Sequence, residues 1–96
     1  MQPYSLPDVT PDGTATAITA NANLRAVAVI LSAPAANSGG IRVGDSSVSG
    51  TQGATCNPGG QVIYLPRGAF DQQGYQLNQV YVYGTSTDKI TITYVQ

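Results

Sequence analysis

Proton transfer and nucleophilic attack need side chains able to titrate or attack near neutrality, and this sequence is short of them. It has five Asp, one Lys (Lys89) and one Cys (Cys56), with neither His nor Glu. Every Asp stands in a turn context: Pro7-Asp8, Pro11-Asp12-Gly13, Gly44-Asp45-Ser46, Asp71 ahead of Gly74, and Thr87-Asp88. In such contexts an Asp side chain accepts from backbone N–H groups close by, and that is the use expected of all five. A two-carboxylate hydrolase needs its pair facing across a cleft, and no spacing here brings two together. Cys56 as a nucleophile would lack its usual histidine base. The reading is a non-enzymatic chain with no catalytic, cofactor-binding or metal-ligating residues.

The stretch Gly39-Gly-Ile-Arg-Val-Gly-Asp-Ser-Ser-Val-Ser-Gly50 comes closest to a ligand loop. A calcium loop places oxygen ligands at alternate positions, as in Asp-x-Asp-x-Asp-Gly, whereas only Asp45 carries charge in this one. The expected alternative is a corner. Gly44 allows a positive φ, and Asp45 accepts from Ser46 or Ser47 N–H in an Asx-turn that redirects the chain through Val48.

Such residues need a frame, and composition limits what it is. A chain of 96 residues is one domain. Domains of this size are marginal without disulfides, metals or oligomerisation. One cysteine allows no intrachain disulfide, and the absence of histidine removes the usual zinc sites, which leaves oligomerisation. Charged residues make up 9% of the chain, against roughly 25% in an ordinary soluble domain. Hydroxyl and amide side chains take their place, and these desolvate at an interface with less cost than charges. The net charge of −1 and the scattered cations Arg25, Arg42, Arg67 and Lys89 argue against nucleic acid, which calls for clustered Lys and Arg. Arg25 to Ala36 imitates a signal peptide, but it begins late and its apolar run is too short to span a membrane. A buried strand made in a reducing cytoplasm is the better reading.

Residues 1–13 carry Pro3, Pro7 and Pro11, which exclude helix and central strand. They read as an extended N-terminal arm anchored by Tyr4, Leu6 and Val9, lying on its own domain or on a neighbour. Residues 14–96 read as a β-domain. Thr14 to Ala20 alternates like a half-exposed strand, and Leu24 to Ser32 is apolar on both faces like a central one. Ile41 to Val43 and Gln61 to Leu65 are further strands, with Asn57-Pro58-Gly59 a turn. Arg67 to Gln76 is loop-like, with a turn near Phe70-Asp71. Leu77 to Gly84 and Asp88 to Val95 are expected to pair as an antiparallel hairpin. Val80, Val82, Ile90, Ile92 and Tyr94 would then face the core, and Tyr81, Tyr83, Thr91, Thr93 and Val95 the reverse. Tyr81 and Tyr83, with Tyr4, Leu6 and Val9 from the arm, are the candidate partner contacts. Many short strands without an amphipathic helix predict an all-β fold. The expected form is a single antiparallel β-sandwich of jelly-roll type, or a small barrel, with the arm attached. Cys56 is expected to be a dispensable small residue beside a turn, tolerant of Ser if the site is exposed.

One pattern runs through the β-domain: Asn37-Ser-Gly39, Ile41-Arg-Val-Gly-Asp45, Val48, Gly53, Pro58-Gly-Gly60, Leu65, Tyr75-x-Leu77, Val80-Tyr-Val-x-Gly84 and Asp88-x-Ile-x-Ile-x-Tyr94. Residues 37–94 thereby resemble small structural proteins of tailed bacteriophages, the virion, capsid-decoration (cement) and head-associated proteins. The resemblance implies a β-sandwich that assembles as a homodimer or homotrimer on the capsid surface, with the major capsid protein as partner. It brings no catalytic or binding motif. Two other roles stay open: a receptor- or glycan-binding module of a tail fibre or spike, signalled by Tyr75, Tyr81 and Tyr83 converging at one loop end, and a head-completion or tail-tube component.

Overall fold

The computed structural model describes residues 2–59, 62–66 and 75–96, with the strand at 62–66 and Tyr75 described through their backbone. Among the described residues ten strands succeed one another: β1 (Pro3–Val9), β2 (Thr16–Ala17), β3 (Arg25–Ala26), β4 (Ala28–Ser32), β5 (Ile41–Gly44), β6 (Ala54–Cys56), β7 (Val62–Pro66), β8 (Tyr75–Gln76), β9 (Tyr81–Tyr83) and β10 (Ile90–Val95). A single 3₁₀ turn, Leu77–Gln79, precedes β9. The turn expected near Phe70-Asp71 lies outside the described residues.

Two four-stranded sheets form, in the orders β1-β10-β4-β7 and β2-β9-β5-β6, with β3 and β8 as a short extra pair. All pairings are antiparallel. Leaving aside β3 and β8, every link between successive strands crosses from one sheet to the other except the β5–β6 hairpin. That is jelly-roll connectivity. The inner faces supply one core, with Val29, Leu31, Ile90 and Ile92 from the first sheet against Ile41, Val43 and Val82 from the second. The protein is therefore an all-β antiparallel sandwich.

The connectivity corrects the expected C-terminal hairpin. β9 pairs with β2 and β5, and β10 pairs with β1 and β4. Inward and outward residues fall as expected: Val80, Val82, Ile90, Ile92 and Tyr94 are buried while Tyr81, Tyr83, Thr91, Thr93 and Val95 are half-buried. Period-2 alternation fixes which side chains face inward but leaves the partner strand open. Two runs that both point apolar residues inward can lie in one sheet or face each other across the core, and here they face. The strand is also shorter than expected, because Leu77–Gln79 turns instead of extending.

The proline-rich arm lies on its own domain. It is the edge strand of the first sheet, paired with β10 from Pro3↔Val95 to Val9↔Ile90, with an irregularity between Leu6 and Val9 that contains Pro7. An edge is where a strand tolerates proline, because the missing N–H faces away from the ladder. Leu6 and Val9 pack against the core, and Tyr4 stacks on Tyr94 with ring centroids 5.4 Å apart. Pro11 is fully buried. A Cβ at Gly84 would stand 3.3 Å from Pro11 Cγ and 3.1 Å from Ile41 Cγ1, so glycine lets the chain close over this end of the core.

Candidate functional site

The turns that hold the acidic residues show what those residues do. Asp12 accepts from Thr14 N–H and from the hydroxyls of Thr14 and Thr16. Asp45 accepts from Ser47 N–H at 2.9 Å and from the Ser47 hydroxyl, and Val48 N–H donates to Asp45 C=O at 3.0 Å. This is the expected corner, and it buries Val48 against Gly44 and Gly53. The glycine it requires is Gly53 rather than Gly44. Gly53 has φ +112°, and a Cβ there would sit 2.6 Å from Val48 Cγ2 and 2.9 Å from Val43 O. Gly44 has ordinary backbone geometry, since it lies in β5 opposite Tyr81.

Asp88 behaves differently. It is 3% exposed and accepts from Ser38 N–H (2.7 Å), the Ser38 hydroxyl (3.1 Å), Gly39 N–H (3.3 Å) and the Thr85 hydroxyl (2.9 Å). Beside it, Asn37 Nδ2 donates to Lys89 C=O at 2.7 Å and Lys89 N–H donates back to Asn37 Oδ1 at 3.0 Å. The β4–β5 loop is thus tied to the β9–β10 loop by a buried carboxylate and a reciprocal amide pair. The Ser38 N–H, more than any other donor, holds the Asp88 carboxyl below the usual carboxylate range, assisted by Thr85, the Ser38 hydroxyl and Gly39. The hydroxyls of Ser47 and Thr14 lead the same downward shift at Asp45 and Asp12. Asp8 faces Lys89 Nζ at 3.7 Å between exposed side chains. Asp71 lies outside the described residues. Among the described residues, no three His, Cys, Asp or Glu side chains converge.

Cys56 departs from expectation. It is fully buried opposite Ile41, its Sγ lies 4.0 Å from Leu31 O, and burial raises its thiol pKa. The hydrophobic character of a free thiol, set on the inward phase of β6, outweighs its place beside a turn.

The partner-contact candidates divide between two places. Leu6 and Val9 are committed to the core, and Tyr4, at 39% exposed, leans on Tyr94 at the edge of the first sheet. Tyr81 and Tyr83 stand on the outer face of the second sheet. Tyr81 lies between Ala17 of β2 and Gly44 of β5, and Tyr83 lies beside Arg42 of β5. A cleft of about 260 Å³ opens at the Arg42–Tyr83 pair, walled by Gly39, Gly40, Gly50 and Gly84 with the Asp88 clasp behind. Sequence reasoning passed over Arg42 as one scattered cation. The signal that could have found it is its alternation with the core residues Ile41 and Val43, which sets it on the outer face. The Tyr75 side chain lies outside the described residues.

Comparison with family models, curated proteins and solved structures finds no match for the chain. The functional reading therefore stands on this geometry and on the pattern in residues 37–94.

Proposed function

We propose that the chain is a non-enzymatic virion structural protein, a capsid decoration or cement protein that docks on the phage head through the outer face of β2-β9-β5-β6. The observation that carries this reading is the make-up of that face. Tyr81, Tyr83 and Arg42 sit together on it, flanked by Ala17 and Gly44. Tyr and Arg are the residue types that concentrate binding energy at protein interfaces. The jelly-roll connectivity supports the reading by analogy, since capsid domains are among those built on it. The described aspartates support it too, because each is engaged in a turn, a clasp or an ion pair.

In this reading the partners are the major capsid protein and further copies of the chain, as a dimer or trimer, on the capsid surface. Stabilisation follows from mass action: a protein that binds the assembled shell and not its parts holds the shell together. The test is co-sedimentation of the purified chain with undecorated shells, together with the shells' melting temperature. Saturable binding at a fixed copy number, with a raised shell melting temperature, is expected. A chain that stays in the supernatant at micromolar concentrations contradicts the proposal.

A further inference from the structure

The polar groups around the Arg42 cleft fall into two sets. Asp88, at the back, is saturated by donors from Ser38, Gly39 and Thr85. At the mouth, Arg42 spends only Nη1, on Gly53 C=O at 3.1 Å. Among the described residues its remaining donors and the Tyr83 hydroxyl have no hydrogen-bond partner, and the one ion pair is Lys89 with Asp8. The one acidic side chain among the described residues of this cleft, Asp88, is already held by its Ser38, Gly39 and Thr85 donors and makes no bond to Arg42. Five of its nine lining residues are glycines, so side chains narrow it only at Arg42, Tyr83, Thr85 and Asp88. A second groove, at Arg25 and Gln96, is walled by Ala26 and Val27 and has no aromatic side among the described residues.

We propose, resting on the docking reading above, that the Arg42–Tyr83 cleft is a socket for one carboxylate side chain carried on an extended segment of the partner protein. The guanidinium takes a carboxylate through two parallel N–H donors, a geometry a lone ammonium does not reproduce. Tyr83 packs against the aliphatic part of the acidic side chain, and its hydroxyl supplies a third donor. The glycine walls admit the peptide on either side of it. In a chain with so few charges, an unpaired cation in a cleft sets the register of docking more than it adds area.

The experiment is a titration of the full-length, ¹⁵N-labelled chain, read at the amides of Gly39, Gly40, Gly50 and Gly84. The probes are acetyl-Gly-Glu-Gly-amide, its Gln counterpart and glucuronate. The Glu peptide is expected to give saturable shifts at these amides and the Gln peptide to bind about tenfold more weakly or worse. Arg42→Gln should abolish the difference between the two peptides while keeping a folded spectrum. Arg42→Lys should retain only part of it, and Tyr83→Phe should weaken the Glu peptide a few-fold. Equal binding of the two peptides, or no saturable shift from either, overturns the socket. Saturation by glucuronate where the Glu peptide fails identifies a saccharide site and also overturns it. The shell assay separates the two claims: a chain that co-sediments but ignores the Glu peptide loses the socket and keeps the docking role. A chain that binds the Glu peptide but not shells keeps the socket and loses the docking role.

Discussion

The sheet β1-β10-β4-β7 turns Ser5, Thr91, Thr93 and Ser32 outward, with Ile30 and Val95 its larger apolar members among the described side chains, while β2-β9-β5-β6 turns out Tyr81, Tyr83, Arg42 and Thr55 beside Ala17 and Gly44. Their inner faces are alike, mostly aliphatic with Tyr94 added, and buried in one core. Folding dictates the inner faces but leaves the outer ones free, so the difference between the outer faces reports on function. Threonine on an outward strand position satisfies β-propensity, and the Thr91 hydroxyl donates to Ser32 C=O within its own sheet. Two tyrosines and an arginine on adjacent strands, with small residues around them, exceed what the fold requires.

The contrast breaks most completely if the aromatic face loses its scaffold. Gly53 closes the corner between β5 and β6 at φ +112°, hard against Val43 and Val48. Gly53→Ala is expected to cost about 2–4 kcal/mol of unfolding free energy through strain and overlap, read by urea denaturation. A cost below about 0.5 kcal/mol would mean the corner is soft.

Next in size is the clasp that ties the two sheets' loops. Asp88→Ala removes the charged acceptor that Ser38, Gly39 and Thr85 share across the two loops, and a fall in melting temperature on the order of 10 °C is expected. Asp88→Asn keeps an acceptor and should lose less. The pKa of Asp88 is depressed in the folded state. Its contribution is therefore present in full above its unfolded value near pH 4 and is lost as pH falls through the lower folded value. Asp12 and Asp45 shift in the same direction from exposed positions, where solvent screens their effect. Acid unfolding midpoints test the assignment. The acid-induced loss of stability should shrink in Asp88→Asn and stay nearly unchanged in Asp45→Asn.

Smaller still is Cys56→Ser, which puts a hydroxyl into a fully buried site and is expected to cost about 1–2 kcal/mol. The native thiol should react with a thiol reagent only on unfolding, and rapid reaction in the folded state would contradict its burial. Asp45→Ala is expected to lower the melting temperature by no more than a few degrees, since its Asx-turn is exposed and local.

These residues also show what the sequence made legible. Alternation from Val80 to Val95 assigned inner and outer faces correctly, because period 2 is a property of the strand itself. It misassigned the pairing of β9 with β10, because only the global topology decides whether neighbouring runs share a sheet. The Asp45 corner could be read because donor and acceptor are two residues apart. The Asp88 clasp could not, because its partner Ser38 lies fifty residues away. The same holds for the Arg42–Tyr83 pair, which only the β5–β9 register creates. The proline arm was legible as extended backbone, but whether its apolar residues served the domain or a neighbour depended on β10 having a free edge.

The docking face is the central claim, and a matched pair of double variants tests it most directly. Tyr81→Ala with Tyr83→Ala strips one outer face, and Thr91→Ala with Thr93→Ala strips the other. Both leave the inner faces intact, and circular dichroism confirms that each folds. In co-sedimentation with undecorated shells, the tyrosine pair is expected to weaken binding by about a hundredfold or more, as losing two interface hot spots would. The threonine pair should stay within about threefold of the unmodified chain. Equal binding by both variants, or a larger loss from the threonine pair, would contradict the account.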